Sequence, residues 1–218
     1  MIYKNILSDK HLAVLKKLQS LPKETYMAGG TALALQLGHR TSLDFDFYTK
    51  QHLETEIVLK DFQQDIPGVK IERIAKDTLI LDADGISVSL FYYPYELIRS
   101  LVPLRSLIPF DGIKLASVED VAAMKMVAVS MRGKRRDFID VYYLLQKFSL
   151  GEIINFTIEK YPSYQPMVIL KGLIYFKDAQ EEDFSRGIKI FDKELTWEKV
   201  KKNIFEEVEK YQSAILER

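Results

Sequence analysis

Between residues 26 and 48 the chain changes its grammar several times, and that succession constrains the fold more than any other stretch. Tyr26-Met27-Ala28 is a short apolar run that ends in Gly29-Gly30, which predicts a brief strand and a tight turn. Thr31 then opens a run of helix formers, Ala-Leu-Ala-Leu-Gln-Leu, which Gly38 is placed to stop. A polar loop follows, His39-Arg40-Thr41-Ser42. From Leu43 to Tyr48 apolar and polar residues alternate, as they do in a half-buried strand. Strand, turn, helix, loop and strand in such close order predict a mixed α/β unit.

Two chemical features lie on this frame. Glycines at 29 and 30 let a phosphate approach the backbone, and the first amides of the helix supply donors and a partial positive charge. The same Gly29-Gly30-Thr31 also reads as an ordinary turn. Asp44 and Asp46 are two apart on the strand, so they face one side with Cα atoms ~6.6 Å apart. Like charges at 4 Å repel by about 4 kcal/mol at an effective dielectric of 20. A divalent cation between them reverses that sign, and hard oxygen ligands favour Mg²⁺ or Mn²⁺. A wet acidic strand face accounts for the pair without a metal.

The remaining pattern extends the α/β part to about residue 115. Ser8 is a candidate N-cap for a short helix carrying Leu12, Leu15 and Leu18. Residues 52–64 read as a helix that ends at a Pro67-Gly68 turn. Three strands are predicted at Val69–Ile74, Thr78–Asp82 and Ile86–Tyr93, the last two joined by the hairpin turn Asp82-Ala-Asp-Gly85. Ile113–Leu115 reads as a last short strand. Beyond it the pattern turns helical. Ser117 and Asp120 have capping-box spacing, and Met124, Val127, Ala128 and Met131 continue that helix. A second helix starts near Arg136 with Phe138, Val141, Tyr142 and Leu145 on one face. Residues 150–218 are mostly helical and end in Trp197–Leu216, where Val200, Ile204, Val208, Tyr211 and Ile215 form a stripe. The expected organisation is therefore an α/β domain over 1–115 and a helical domain over 116–218.

A third chemical feature belongs to the helical part. Lys125 stands among apolar residues, where it either snorkels to solvent or aims its ammonium at a phosphate. Asp137 and Asp140 lie three apart on the following helix and so are predicted to be neighbours on its surface. Between them and Lys125 runs the basic stretch Arg132-Gly133-Lys134-Arg135-Arg136, a candidate contact for a nucleic-acid backbone or a solvated loop.

Composition narrows the function classes. In 218 residues, 31 Lys plus Arg balance 31 Asp plus Glu. Binding nucleic acid by bulk charge is thereby disfavoured, while a local basic patch is still allowed. With no Cys, disulfide scaffolds, thiolate metal sites and thiol nucleophiles are excluded. His11, His39 and His52 are too scattered in sequence to read as a metal cluster; His39 adjoins Arg40 and either touches a substrate or makes a loop hydrogen bond. Tyr92-Tyr93-Pro94-Tyr95 reads as strand-end packing, with base stacking as the alternative. The N-terminus lacks an apolar signal core, and no run approaches the ~18 apolar residues of a membrane span. A cytoplasmic protein without a membrane partner is expected.

The order of these features is specific. A Gly-Gly-Thr helix start followed by Asp-x-Asp resembles the DNA polymerase beta-like nucleotidyltransferases. The wording GGTALALQLGHRTSLDFDFYT, with GISVSLFYYPYELI and EDVAAMKMVAVSMRGKRRDFIDVYYLL, resembles the AbiEii/AbiGii toxin family of nucleotidyltransferases. The resemblance covers about residues 26–145. It implies an α+β fold, a mixed sheet with flanking helices, followed by a helical C-terminal half that completes the active site. It implies an NTP substrate, whose triphosphate Gly29, Gly30 and Thr31 cradle, with Arg40 and Arg132 as further phosphate contacts. Asp44 and Asp46 would bind Mg²⁺ or Mn²⁺, Lys125 would contact the nucleotide phosphates, and Asp137 would serve as base or metal-orienting group. The reaction implied is transfer of a nucleoside monophosphate from an NTP to an acceptor hydroxyl. RNA, the tRNA 3′ end first, is the expected acceptor; a cognate antitoxin that need not bind directly is expected too.

One departure bears on activity. Many members of the superfamily carry a third carboxylate on a later strand, where this chain has Ser87 and Ser89. Three alternatives follow: Asp137 supplies the missing group, a single metal binds, or the site is weakened. The first is the reading taken. A module that binds nucleotide or a partner protein without turnover is the rival reading.

Overall fold

The structure, a computed structural model, describes residues 1–104, 113–182 and 188–217. Parts of the sequence-predicted helical half, residues 183–187 and 218, lie outside the described residues. The chain divides into two compact units, one comprising Met1–Glu96 and Ser100–Ser117, the other Leu97–Arg99 and Val118–Arg218.

In the first unit, strands β1 (Tyr26–Ala28), β2 (Phe45–Thr49), β3 (Lys70–Ala75), β4 (Thr78–Ala83), β5 (Ile86–Tyr92), β6 (Val102–Pro103) and β7 (Lys114–Leu115) form one mixed sheet. Their order is β3-β4-β5-β2-β1-β7-β6. β2 and β5 run parallel, as do β1 and β7; the other neighbours are antiparallel. The β4–β5 connection is a two-residue turn in which Asp84 and Gly85 both have positive φ, 56° and 78°. That geometry matches the twist of the flanking strands, and Asp82 Oδ1 fixes it by accepting from the Gly85 amide at 2.7 Å.

Phe45, Phe47, Val88, Leu90, Leu79 and Leu81 point to one face of this sheet and are buried, so that face carries the core. Helix α1 (Asp9–Lys17) is capped by Ser8, whose hydroxyl accepts from the His11 amide, and its His11 ring meets Phe45 edge-on. Helix α3 (Thr55–Asp65) buries Val58 and Phe62 and packs on β4. Helix α2 (Gly29–Leu37) follows β1 without a linker and ends at Gly38, whose φ of 68° stops the helix as its sequence position predicts.

The second unit is helical: α4 (Val118–Met131), α5 (Arg135–Leu145), α6 (Leu150–Lys160), α7 (Pro166–Ile174), the short α8 (Lys177–Gln180) and α9 (Trp197–Leu216). α4 is its axis and packs against α5, α6 and α7. The crossing of α4 and α7 depends on Gly172, where a Cβ would come within 2.6 Å of Ser130 Cα. Phe138, Phe176 and Trp197 form an aromatic cluster at the start of α9. The α9 stripe is buried at Val200, Ile204 and Val208, then opens to solvent at Ile215. Among the described residues no helix is long and apolar enough to cross a membrane.

Candidate active site

The site in the first unit begins where β1 runs directly into α2. Gly29 has a φ of 70°, the left-handed region that favours glycine, and a Cβ there would meet Asp46 Oδ2 at 2.9 Å. Gly30 faces Arg40, whose Nη2 would lie 2.6 Å from an added Cβ. Both glycines therefore make room for a charged side chain of the same unit, a carboxylate over one and a guanidinium beside the other. Arg40 is 2% exposed and donates from Nη1 to the Thr41 carbonyl at 3.0 Å. The buried cation thus stands beside the N-terminus of α2, and the two together make this corner favourable to anions.

Thr31 ties the corner to the acidic strand. Its hydroxyl lies 2.7 Å from Ser42 Oγ and donates to the Asp44 carbonyl. The Leu43 carbonyl accepts from His11 Nε2 at 3.0 Å. These two carbonyls are engaged by side chains, and the strand begins at Phe45 rather than at Leu43 as the alternation predicted. Asp46 lies within β2 and Asp44 immediately before it. Both are half-buried, flanked by the buried Phe45 and Phe47. Register places Asp46 level with Ala28 on one side and Ser89 on the other.

Ser89, 6% exposed, is therefore the neighbour of Asp46 across the parallel pair. Ser87 lies opposite Asp82 and donates to Glu72 Oε2 at 3.4 Å. A divalent cation fits the donor set of Asp44 and Asp46, since both carboxylates are hard and reachable. Among the described residues no group of three or more His, Cys, Asp or Glu could hold a metal. The remaining ligands would thus be waters and substrate oxygens, the arrangement Mg²⁺ favours.

His39 is 4% exposed and belongs to the interior of this unit. The other two histidines are also structural. His11 bridges Ser8 and Leu43, while His52 stacks on Tyr92 at 4.1 Å and contacts Asp77 at 2.9 Å.

In the helical unit the predicted residues are arranged differently from the helix-surface expectation. Asp137 and Asp140 are both fully buried, not neighbours on a wet face. Lys125 does not snorkel; its ammonium lies 2.7 Å from Asp137 Oδ1 and 2.7 Å from Asp140 Oδ2. Burial raises the Asp137 pKa, but the charge and hydrogen bond of Lys125, helped by Arg132, outweigh it and hold the carboxyl below its ordinary range; Asp140 opposes them. Arg132 is about half exposed, with Nε 3.5 Å from Asp137 Oδ2.

The resemblance gives Asp140 no role, although the sequence carries a signal for one. A lysine in an apolar helix needs buried anionic partners, and Asp140 is embedded in Ile139, Val141 and Tyr142. The basic stretch is also partly committed to structure. Arg135 donates to the carbonyls of Ala179 and Gln180, at 3.0 and 2.8 Å, and stacks over Trp197. It is a brace for α8 and α9, a role that neither the nucleic-acid contact nor the solvated loop described.

A family model described as nucleotidyl transferase AbiEii toxin, type IV TA system, matches residues 13–218. The uncharacterized protein aq_aa25 of Aquifex aeolicus (strain VF5) is 35% identical over 214 residues, covering 94% of this chain and 97% of its own. Among solved structures, JHP933 from Helicobacter pylori aligns with a TM-score of 0.54 at 14% identity, over 100% of this chain and 98% of that one. MenT4, the nucleotidyltransferase toxin Rv2826c from Mycobacterium tuberculosis H37Rv, aligns with a TM-score of 0.55 at 14% identity, over 92% and 81%. At such identities these two structures share the fold of this chain: a mixed sheet with flanking helices, then helices.

Proposed function

The chain belongs to the AbiEii nucleotidyltransferase toxin family, and from that premise we propose that it transfers a nucleoside monophosphate from an NTP to a hydroxyl of RNA, the tRNA 3′ end first among RNAs. The observation that carries this reading is the convergence at the start of α2. Gly29 and Gly30 leave the backbone open, Arg40 is buried beside Gly30, and the Asp46 carboxylate lies over Gly29. An anion-favouring corner against a pair of carboxylates suits a triphosphate bound together with a divalent cation.

In this reading the α2 amides and Arg40 hold the leaving phosphates, and Thr31 fixes the loop that presents Asp44. Asp44 and Asp46 would hold Mg²⁺, which when bound would supply positive charge to offset that of the reacting phosphates. The acceptor oxygen forms a bond to the α-phosphorus, the bond to pyrophosphate breaks, and the hydroxyl proton passes to solvent or a nearby base. Lys125 is assigned to the nucleotide phosphates and Arg132 to a further phosphate contact. The lowered pKa of Asp137 makes it a weak base at neutral pH, which favours its role in orienting Lys125 over proton abstraction. The protein would work in the cytoplasm, where NTP and tRNA are found, under control of a separately encoded antitoxin.

The test is incubation with Mg²⁺, labelled NTPs and tRNA. Label transfer by the wild type, abolished in Asp46→Asn, supports the reading; transfer undiminished in Asp46→Asn overturns it. A second reading, nucleotide binding without turnover, draws on Ser89 standing beside Asp46 where a third carboxylate would serve. Tight NTP binding by calorimetry without pyrophosphate release favours it.

A further inference from the structure

On the face of the sheet that carries Asp46, the next residue along each of three strands is aromatic. Ala28, Asp46 and Ser89 lie side by side in one row, and Tyr26, Tyr48 and Phe91 in the next, about 6.6 Å further along the strands. The rings are in contact. The Tyr48 ring centroid is 6.1 Å from that of Tyr26, 5.6 Å from Phe91 and 5.1 Å from Tyr93, and Tyr93 is 4.9 Å from Tyr95. The row starts in the interior, with Tyr26 2% exposed, and ends in water, with Tyr95 41% exposed. Tyr48, Phe91 and Tyr93 are half-buried. The buried Phe45, Phe47, Val88 and Leu90 lie on the opposite face of the sheet, so the half-buried rings share the face that bears Asp46 and lead from its buried end at Tyr26 to the exposed Tyr95.

Position along the strands decides what such a surface takes. Gly30, Thr31 and Arg40 gather toward Asp44, on the far side of Asp46 from Tyr48. In the nucleotidyl-transfer reading, on which this inference rests, pyrophosphate leaves at that anion-favouring end. In-line displacement requires the attacking oxygen to approach the phosphorus from the opposite side. That side is the aromatic row. We propose that Tyr48, Phe91, Tyr93 and Tyr95 form a stacking platform for an unpaired base of the acceptor RNA, next to the attacking hydroxyl. Every base has a π-face, so rings in series hold a single-stranded end without reading its sequence closely.

The probe is a short single-stranded RNA ending in 2-aminopurine, whose fluorescence falls on stacking. Quenching is expected with the wild type and equally with Asp46→Asn, which leaves the rings in place. It is expected to be lost in Tyr93→Leu/Tyr95→Ala and retained in Tyr93→Trp. Tyr95→Ala alone, at an exposed position, keeps the test open if the double variant does not fold. In turnover Tyr93→Leu/Tyr95→Ala should raise KM for RNA about tenfold with KM for NTP unchanged, and Tyr93→Trp should leave both unchanged. Unchanged quenching in every aromatic variant overturns the platform. So does a rise confined to KM for NTP, which would give the rings to the incoming nucleotide, and so does label transfer to a protein with no quenching of the RNA. Ring-dependent quenching without any label transfer would sink the catalytic reading and leave the platform standing. Asp46-dependent transfer to RNA without quenching would do the reverse.

Discussion

Asp46 holds its carboxylate over the backbone of Gly29, so closely that a methyl group on Gly29 would approach Oδ2 to 2.9 Å. The acid and the helix start form one unit of geometry. Gly29→Ala therefore carries two penalties: the strain of a positive φ, roughly 1–2 kcal/mol, and displacement of the carboxylate. Gly68 is the control, because its φ of 88° is equally unfavourable but nothing lies within 4 Å of an added Cβ. Both alanine variants should lower the urea midpoint. Only Gly29→Ala should also reduce kcat per folded molecule, by about tenfold, the equivalent of roughly 1.4 kcal/mol.

If Asp44, just before β2, and Asp46, within it, share a cation as proposed, binding should appear as stability. If Mg²⁺ and NTP bind the folded chain alone, a hundredfold excess over Kd adds about 2.7 kcal/mol. For a chain of this size that is a rise in Tm of about 5–10 °C. Wild type should show the rise with Mg²⁺ and NTP together and lose it with EDTA. Asp44→Asn and Asp46→Asn should show little of it. A full shift in either variant would remove that residue from the metal site.

The buried cluster of Lys125 with Asp137 and Asp140 predicts a pH dependence of known sign. The Asp137 carboxyl is held below its ordinary value of 3.8, so its pairing stabilises the fold in full above the unfolded pKa. As pH falls below that value the unfolded chain takes up the proton first, and the contribution is lost through the lower folded pKa. At neutral pH Asp137→Asn should cost roughly 2–4 kcal/mol, less than an isolated buried pair because Asp140 still faces Lys125. The gap between variant and wild type should narrow in urea titrations taken below about pH 4. A gap that is constant with pH would show that Asp137 is not ionised in the folded chain.

Local signals account for what the sequence revealed. The strand Tyr26–Ala28, the stop at Gly38, the Asp84-Gly85 turn and the cap at Ser8 each depend on residues a few positions apart. The pairing of a glycine helix start with an Asp-x-Asp strand spans only residues 29–46 and is legible as a motif. What stayed hidden depends on pairing across the chain. The parallel register of β2 and β5 sets Ser89 beside Asp46 and Phe91 beside Tyr48, and no local pattern encodes a parallel register. The start of β2 moved to Phe45 because His11 and Thr31, distant in sequence, engage the carbonyls before it. Asp137 and Asp140 read as surface residues because a charge on a helix is normally wet; Lys125, twelve or more positions earlier, is what permits their burial.

Asp120 shows the same principle serving the fold alone. It is fully buried, lies 2.7 Å from Lys160 Nζ, and accepts from the amides of Ile98 at 2.9 Å and Arg99 at 3.2 Å. One carboxylate thus pins the segment Leu97–Arg99 to α4 and neutralises a lysine of α6. Asp120→Ala leaves a buried ammonium and two amides without this acceptor, so a loss of roughly 3–5 kcal/mol is expected. Removing the second charge in Asp120→Ala/Lys160→Met should restore part of it, because an apolar pair costs less to bury than a lone charge. The amides remain to be satisfied, each at about 1–3 kcal/mol, so recovery should be incomplete. Hydrogen exchange at Ile98 and Arg99 separates the two effects: it should accelerate in both variants, while the urea midpoint recovers only in the double. A loss in the double variant equal to the sum of those in Asp120→Ala and Lys160→Met would mean that Asp120 and Lys160 do not act as a pair.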